Sequence, residues 1–215
     1  MRVESVEIRG LRCLSDAAAA LPAGGAWFVG ANGAGKTSVL EALCLLGFGR
    51  SFRGRVADGL VQRGRESLEV VAHWVDDAGR AHVSGLRHHG DGWVGRLDGA
   101  SVATLSELAA PFPVVCFHPE SSQVVTGPAE ERRRALDWLA FHVEPSFGDV
   151  ARRYARALKQ RNALLRTGAR NAEFEPWERE MGQTAAALTS HRALAISLWQ
   201  PALRALWPAL AGEAA

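Results

Sequence analysis

Residues 30–37, "GANGAGKT", constrain this chain more than any other stretch. They fit G-x-x-x-x-G-K-[ST] at every fixed position. An apolar run at residues 26–29 precedes them. A helix-type pattern follows, carrying Val39, Leu40, Leu43, Leu45 and Leu46. A strand, a glycine turn and a helix in that order make a phosphate cradle. Gly33 and Gly35 permit positive φ and a close main-chain approach. The N–H groups of Gly30, Ala31, Asn32, Gly33, Ala34 and Gly35 form an anion-binding nest at the positive end of the helix. Lys36 is placed to reach the β and γ phosphates, and the Thr37 hydroxyl to ligate Mg²⁺. The expected ligand is a nucleotide with Mg²⁺. The loop itself specifies neither the base nor the reaction.

The rest of the chain sorts by period. Val3, Val6 and Ile8 read as a short edge-like strand. The pattern alternates from Leu68 to Leu97, with turn signals at "DDAGR" and "DGW", which predicts an antiparallel meander. "PVVCF", residues 113–117, reads as a fully buried strand. After Pro128 the chain turns helical. "PAEERRRALDWLAF" opens with proline and two acids, suited to a helix N-terminus. Residues 147–167 predict a second helix, and a third runs from Glu173 to near Pro208. The expected fold class is α/β, a P-loop NTPase with an antiparallel β meander and a helical second lobe. The expected division is 1–127 for the P-loop lobe and 128–215 for the helical lobe.

Of 215 residues, 47% are hydrophobic and 22% charged, enough to pack a core and to exclude wholesale disorder. A net charge of +2 means any nucleic-acid affinity must come from a local patch. Cys13, Cys44 and Cys116 lack metal-ligand spacing and read as space-filling thiols. The apolar stretch 193–211 is interrupted by Gln200, Pro201, Arg204 and Pro208, so it reads as a buried or partner-facing helix without a membrane role. The expected compartment is the cytoplasm.

Phosphoryl transfer also needs a carboxylate at the end of a buried strand, to help hold Mg²⁺ and orient water. "HWVDD" ends in Asp76 and Asp77, but these read as hairpin-turn residues. In "VVCFHPE" the apolar run meets His118 where an acid is needed, with Glu120 two residues on. The legible site is a nucleotide cradle without a complete catalytic set.

"IRGLRCL", "FVGANGAGKTSVLEAL", "GFGRSFRG", "FHPE", "GPAEERRRALDWLAFHVEPSF" and "LKQRNALLR" occur in this order over residues 8–166. Together they resemble the RecF recombination and replication-repair family of bacteria. The phosphate loop is widely shared, whereas "RRRALDW" and "LKQRNALL" are specific. The resemblance implies an ABC-type ATPase head, related to chromosome-maintenance and Rad50 proteins, that dimerises around ATP. It implies binding of single-stranded and gapped or duplex DNA, action with RecO and RecR mediators to load RecA, and support of the SOS response. It places Arg12 near the nucleotide, with Leu11 and Cys13 in place of the family's usual Phe and Asn. It places Glu120 near the glutamine loop of related heads. Family members are longer, and their additional part carries the signature segment and the strand with the metal-site Asp. "TLSEL", residues 104–108, lacks the signature glycine. The chain therefore reads as the N-terminal part of such a protein, expected to bind ATP and not to hydrolyse it alone.

Between Val150 and Ala172 there is no acid. Arg152, Arg156 and Lys159 share a helix face, a candidate DNA surface or a solvated one. Arg50 and Arg53 follow the phosphate-loop helix and are candidates to touch DNA or a second subunit. Arg132, Arg133 and Arg134 are expected to pair with Glu130, Glu131 or Asp137 at helical spacing. His88 and His89 read as exposed turn residues, and the seven tryptophans mainly as core. Two other functions compete with the DNA-repair head. One is a small-molecule or nucleotide kinase of the P-loop class, which would need an arginine lid. The other is a non-catalytic module in which ATP only orders a surface.

Overall fold

The computed structural model describes residues 1–54, 56–90, 92–168 and 170–211. The chain divides into two compact units, Met1–Phe117 and His118–Ala215. The expected boundary at 127–128 lies further along the chain.

In the first unit, strands β1 (Arg2–Leu11), β2 (Leu14–Ala20), β3 (Ser67–Val75), β4 (Ala81–His89), β5 (Gly92–Leu97) and β6 (Ala100–Ser101) form one sheet. Their order is β2-β1-β3-β4-β5-β6 and every pairing is antiparallel. The meander is as its alternation requires. On β3, Leu68, Val70, Ala72 and Trp74 are buried in strict alternation, the period-2 signature of a half-buried strand. The N-terminal strand is not an edge. It is ten residues long and lies between β2 and β3. Its neighbour β2, "LSDAAAA", has no aromatic or β-branched residue, so its composition carries no strand signal.

Helix α1 (Lys36–Phe48) covers the buried face of this sheet. Ala42, Leu45 and Leu46 share a core with Val6, Ile8, Val70, Leu86, Phe112 and Leu108. Leu108 belongs to a short helix, α2 (Leu105–Ala109), capped by the Thr104 side chain. Gly47 lets the chain after α2 approach α1 closely, because a Cβ there would lie 2.7 Å from Val114. Trp74 closes the core, donating to Ser84 at 3.0 Å and meeting Phe112 edge-on at 5.7 Å. Cys44 is buried in α1, Cys116 is half-buried and Cys13 is exposed. Burial, with the neighbouring Cys116, pushes the Cys44 thiol far up from its ordinary value.

Two expected strands are absent. Residues 26–29 and 113–117 carry no strand pairing among the described residues. Trp27, Val29 and Phe117 face water, at 94%, 91% and 87% exposed, while Val114 packs against the core. Apolar composition does not make a strand without a neighbouring backbone to bond.

The second unit is helical. It opens with a 3₁₀ turn at Pro119–Ser122, α3 (Gln123–Thr126) and α4 (Ala129–Val143). Helices α5 (Phe147–Thr167) and α6 (Asn171–Ala211) follow. The predicted second helix has the observed ends. Gly168, at φ +64°, stops it. α6 is 41 residues long and runs through Pro176, Pro201 and Pro208. Residues 212–215, beyond the expected apolar helix, lie outside the described residues. Ala140, Phe147, Leu188 and Ala195 form the unit's buried cluster. Arg192 clamps Asp137 with two bonds of 2.6 and 3.1 Å, tying α6 to α4. Asp137 is thus taken by a distant arginine. The local pairs are Arg133 with Glu130 and Arg134 with Glu130 and Glu131, while Arg132 donates to the carbonyls of Val125 and Gly127.

Three of the seven tryptophans depart from the expected core role. Trp74 is buried, but Trp27, Trp199 and Trp207 are 94%, 48% and 55% exposed. His88 also departs. It sits on the inner face of β4, buried, with its ring edge-on to Trp93 at 4.7 Å. The alternation of β4 decides this, placing His88 in step with Ser84 and Leu86. His89 is exposed at the strand end.

Candidate functional site

The phosphate loop has the backbone that its glycines permit. Gly33 and Gly35 stand at φ +84° and +92°. Gly35 also leaves room for the end of the Leu14 side chain, from which a Cβ would lie 2.4 Å. α1 starts at Lys36 directly after it, with no side chain capping its first turn. The free N–H groups of that turn are the positive end of the helix. The Lys36 ammonium bends back over the loop and donates to the carbonyls of Gly30 at 2.9 Å and Ala31 at 2.8 Å. Ala31, Asn32, Gly33, Ala34 and Thr37 are exposed, and Lys36 is partly buried. A cation held on the loop, beside the uncapped first turn of a helix, fits an anionic phosphate chain. The Thr37 hydroxyl, at the start of α1, fits one ligand position of Mg²⁺. No cluster of three or more His, Cys, Asp or Glu that could hold a metal occurs among the described residues.

Behind the loop lies a buried charge knot. Glu41, on the second turn of α1, is fully buried. Its carboxylate accepts from Arg12 Nε at 3.2 Å and Nη2 at 2.9 Å, from Arg53 Nη1 at 3.3 Å, and from the Ser51 hydroxyl. Burial alone would push the Glu41 carboxyl up. Bonds from Arg12 and Ser51, with the charges of Arg12 and Arg53, carry it below its ordinary value. Arg12 itself stands in the left-handed region at φ +55°. Its N–H donates to the Leu60 carbonyl at 2.9 Å and its Nη1 to the Asp58 carbonyl at 2.7 Å. It thus ties the end of β1 to α1 and to the segment around 58–60.

Arg12 and Arg53 are therefore brought together, on Glu41. Arg50 is exposed and forms no ion pair among the described residues. Sequence reasoning misses Glu41. Its signal is a lone acid inside an otherwise apolar helix, a position that demands a buried cation. Asp76 is a turn residue, as its sequence context predicts. It accepts from the N–H groups of Ala78 and Arg80, and the Arg80 N–H holds its carboxyl down at about 2. Glu120 lies in the second unit, exposed and bonded to His118 Nδ1 at 2.7 Å. That bond lowers its carboxyl from the ordinary value. On α5, Arg152, Arg156 and Lys159 are all exposed. Arg152 pairs with Asp149, one turn away, while Arg156 and Lys159 form no ion pair among the described residues.

No family model matches the chain. It is 51% identical over 189 residues to the DNA replication and repair protein RecF of Xanthomonas euvesicatoria pv. vesicatoria, covering 84% of this chain and 51% of that protein. A second relative of the same name, from Thioalkalivibrio sulfidiphilus, is 37% identical over 207 residues, covering 96% of this chain and 58% of its own length. This chain belongs to the RecF family. It spans about half the length of the curated relatives it matches. Its fold is also that of the family. It matches a solved structure of the recombination mediator protein RecF-ATP in the RecFOR pathway at a TM-score of 0.80. That match has 21% identity and covers 91% of this chain and 54% of the other. The Smc head domain of Pyrococcus furiosus follows at a TM-score of 0.52 and 18% identity. The shared fold is the one expected from the phosphate loop, an α/β lobe with an antiparallel sheet and a helical region.

Proposed function

We propose that this chain is the ATP-binding portion of a RecF-type DNA replication and repair protein. The carrying observation is the loop at 30–37, with Lys36 poised on its carbonyls and α1 starting behind it. Mg-ATP binds there, with the amides of Gly30 to Gly35 and Lys36 on the phosphates and Thr37 on Mg²⁺. Arg12 acts through Glu41, setting the angle of α1 behind the loop. The solved RecF-ATP likeness supports ATP as the nucleotide.

In the whole protein, two such heads close on ATP and hold single-stranded, gapped or duplex DNA. Mediators of the RecO and RecR type then use the complex in loading RecA. The exposed Arg152, Arg156 and Lys159, with Arg50, are the DNA-facing cations of this portion. No helix among the described residues is long and apolar enough to cross a membrane, and we place the protein in the cytoplasm with its DNA. The exposed apolar segments 26–29 and 113–117 support the reading. Both have strand composition, and the relatives carry more chain than this one. The kinase alternative has no supporting feature, since the arginines a lid would need are on the continuous helix α5.

Titration of Mg-ATP into this chain and into Lys36→Ala tests the site. Saturable binding that disappears in the variant is expected. Equal affinity in both would overturn the assignment.

A further inference from the structure

The outer face of the sheet carries a groove that the nucleotide reading leaves unused. Gly85 lies at its centre on β4. Val71 of β3 stands directly across on one side and Arg96 of β5 on the other. Val83 and Arg87 flank it along β4, and Val94 stands opposite Arg87. Together they line a groove of about 370 Å³.

Neither conformation nor packing requires glycine at 85. A Cβ there would meet nothing nearer than Arg96 Cβ, at 3.9 Å, an ordinary contact. Two other sheet glycines contrast with it. At Gly10 a Cβ would lie 2.5 Å from the Ser67 carbonyl oxygen, and at Gly95 it would lie 2.7 Å from Val102. A glycine inside a strand weakens it, and where the fold gives no reason it marks the close approach of something else. The hole is walled by exposed valines, Val83 at 36% and Val94 at 55%.

The charges on this face are uneven. Glu69 stands opposite Arg87 but is drawn to Arg9, from which it accepts at 3.1 Å. Arg87 and Arg96 are exposed, and neither forms an ion pair among the described residues. Free guanidinium groups beside a branched aliphatic wall suit carboxylates and an aliphatic side chain. Among the described residues no aromatic ring lines the groove, so it lacks the stacking platform that holds nucleobases.

We propose that this groove binds an extended acidic segment of a partner protein, its aliphatic side chain seated over Gly85 and its carboxylates on Arg87 and Arg96. Diagonal neighbours across paired strands lie about 7–8 Å apart. In an extended peptide, residues two apart on one side are spaced by about 7 Å. An acid–any–aliphatic–any–acid segment therefore sets its carboxylates about 13 Å apart, on either side of the Arg87–Arg96 diagonal and within reach of the two long guanidinium side chains. The site goes beyond the nucleotide reading and does not depend on it.

The test is fluorescence anisotropy of a labelled peptide, Gly-Asp-Ser-Leu-Ser-Asp-Gly, titrated with this chain. Saturable binding is expected. It should fall at least tenfold when serine replaces the leucine, when asparagines replace the aspartates, and in the Arg87→Glu and Arg96→Glu variants. Gly85→Val fills the hole and should abolish binding while the melting temperature holds or rises. Lys36→Ala should bind the peptide as the parent does. No binding at millimolar chain, or equal binding of the three peptides, overturns the proposal. So does tighter binding of an oligothymidylate with the same arginine dependence, which would make the face a nucleic-acid surface.

Discussion

At the residue scale the fold turns on Glu41. A carboxylate with no exposed surface, held by two arginines and a serine, is stable only as a set. Arg12 is 15% exposed and Arg53 43%, so their contributions differ. Removing Arg12 leaves a buried charge half-paired, whereas Arg53 makes a pair that water screens. Glu41→Ala and Arg12→Ala should each destabilise the first unit by about 3 kcal/mol. Arg53→Ala should cost under about 1 kcal/mol. Urea unfolding of the three variants checks the order, and equal losses would contradict it. The pH dependence has a definite sign. The Glu41 carboxyl titrates lower in the folded chain than its ordinary 4.5. Its contribution is therefore present above about 4.5 and disappears as pH falls through the folded value. Melting temperatures between pH 6 and 3 should fall in the parent and fall less steeply in Glu41→Gln.

At the element scale, the elements readable in the sequence are those whose period is set by their own packing. α5 and the β3–β5 meander repeat in step with one buried face, so the pattern and the structure coincide. The Lys36 and Thr37 positions are legible because a loop motif is local. Four features are not. β2 is alanine-rich and is a strand only because β1 bonds it. His88 is buried by the register of β4, which a turn-like dipeptide conceals. Arg12 and Glu41 are 29 residues apart, and no local pattern joins them. Segments 26–29 and 113–117 have strand residues but no bonded neighbour among the described residues. Hydrogen exchange on this chain should show their amides exchanging with little protection, far faster than those of β3. Protection equal to β3 would mean that the two segments have found strand partners. The α5 face makes a separate prediction. Arg156→Glu with Lys159→Glu should weaken DNA binding and reduce the salt slope by about one for each phosphate no longer neutralised. Arg153→Glu breaks the 2.7 Å pair with Glu180 and should act on α5–α6 stability instead. DNA affinity that falls with Arg153→Glu and not with the double variant would contradict the assignment of this face.

At the scale of the whole molecule, the chain is a RecF-family sequence over about half the length of its relatives. These 215 residues contain the whole G-x-x-x-x-G-K-[ST] loop. They contain neither a strand ending in a metal-site aspartate nor a signature glycine segment among the described residues. Binding and turnover therefore separate. The most direct measurement is Mg-ATP binding and phosphate release on one sample of this chain, with and without DNA. The account predicts saturable ATP binding and no turnover in either condition. Turnover in either condition would contradict it, and would require a carboxylate such as Glu120 or Asp77 to complete a catalytic site.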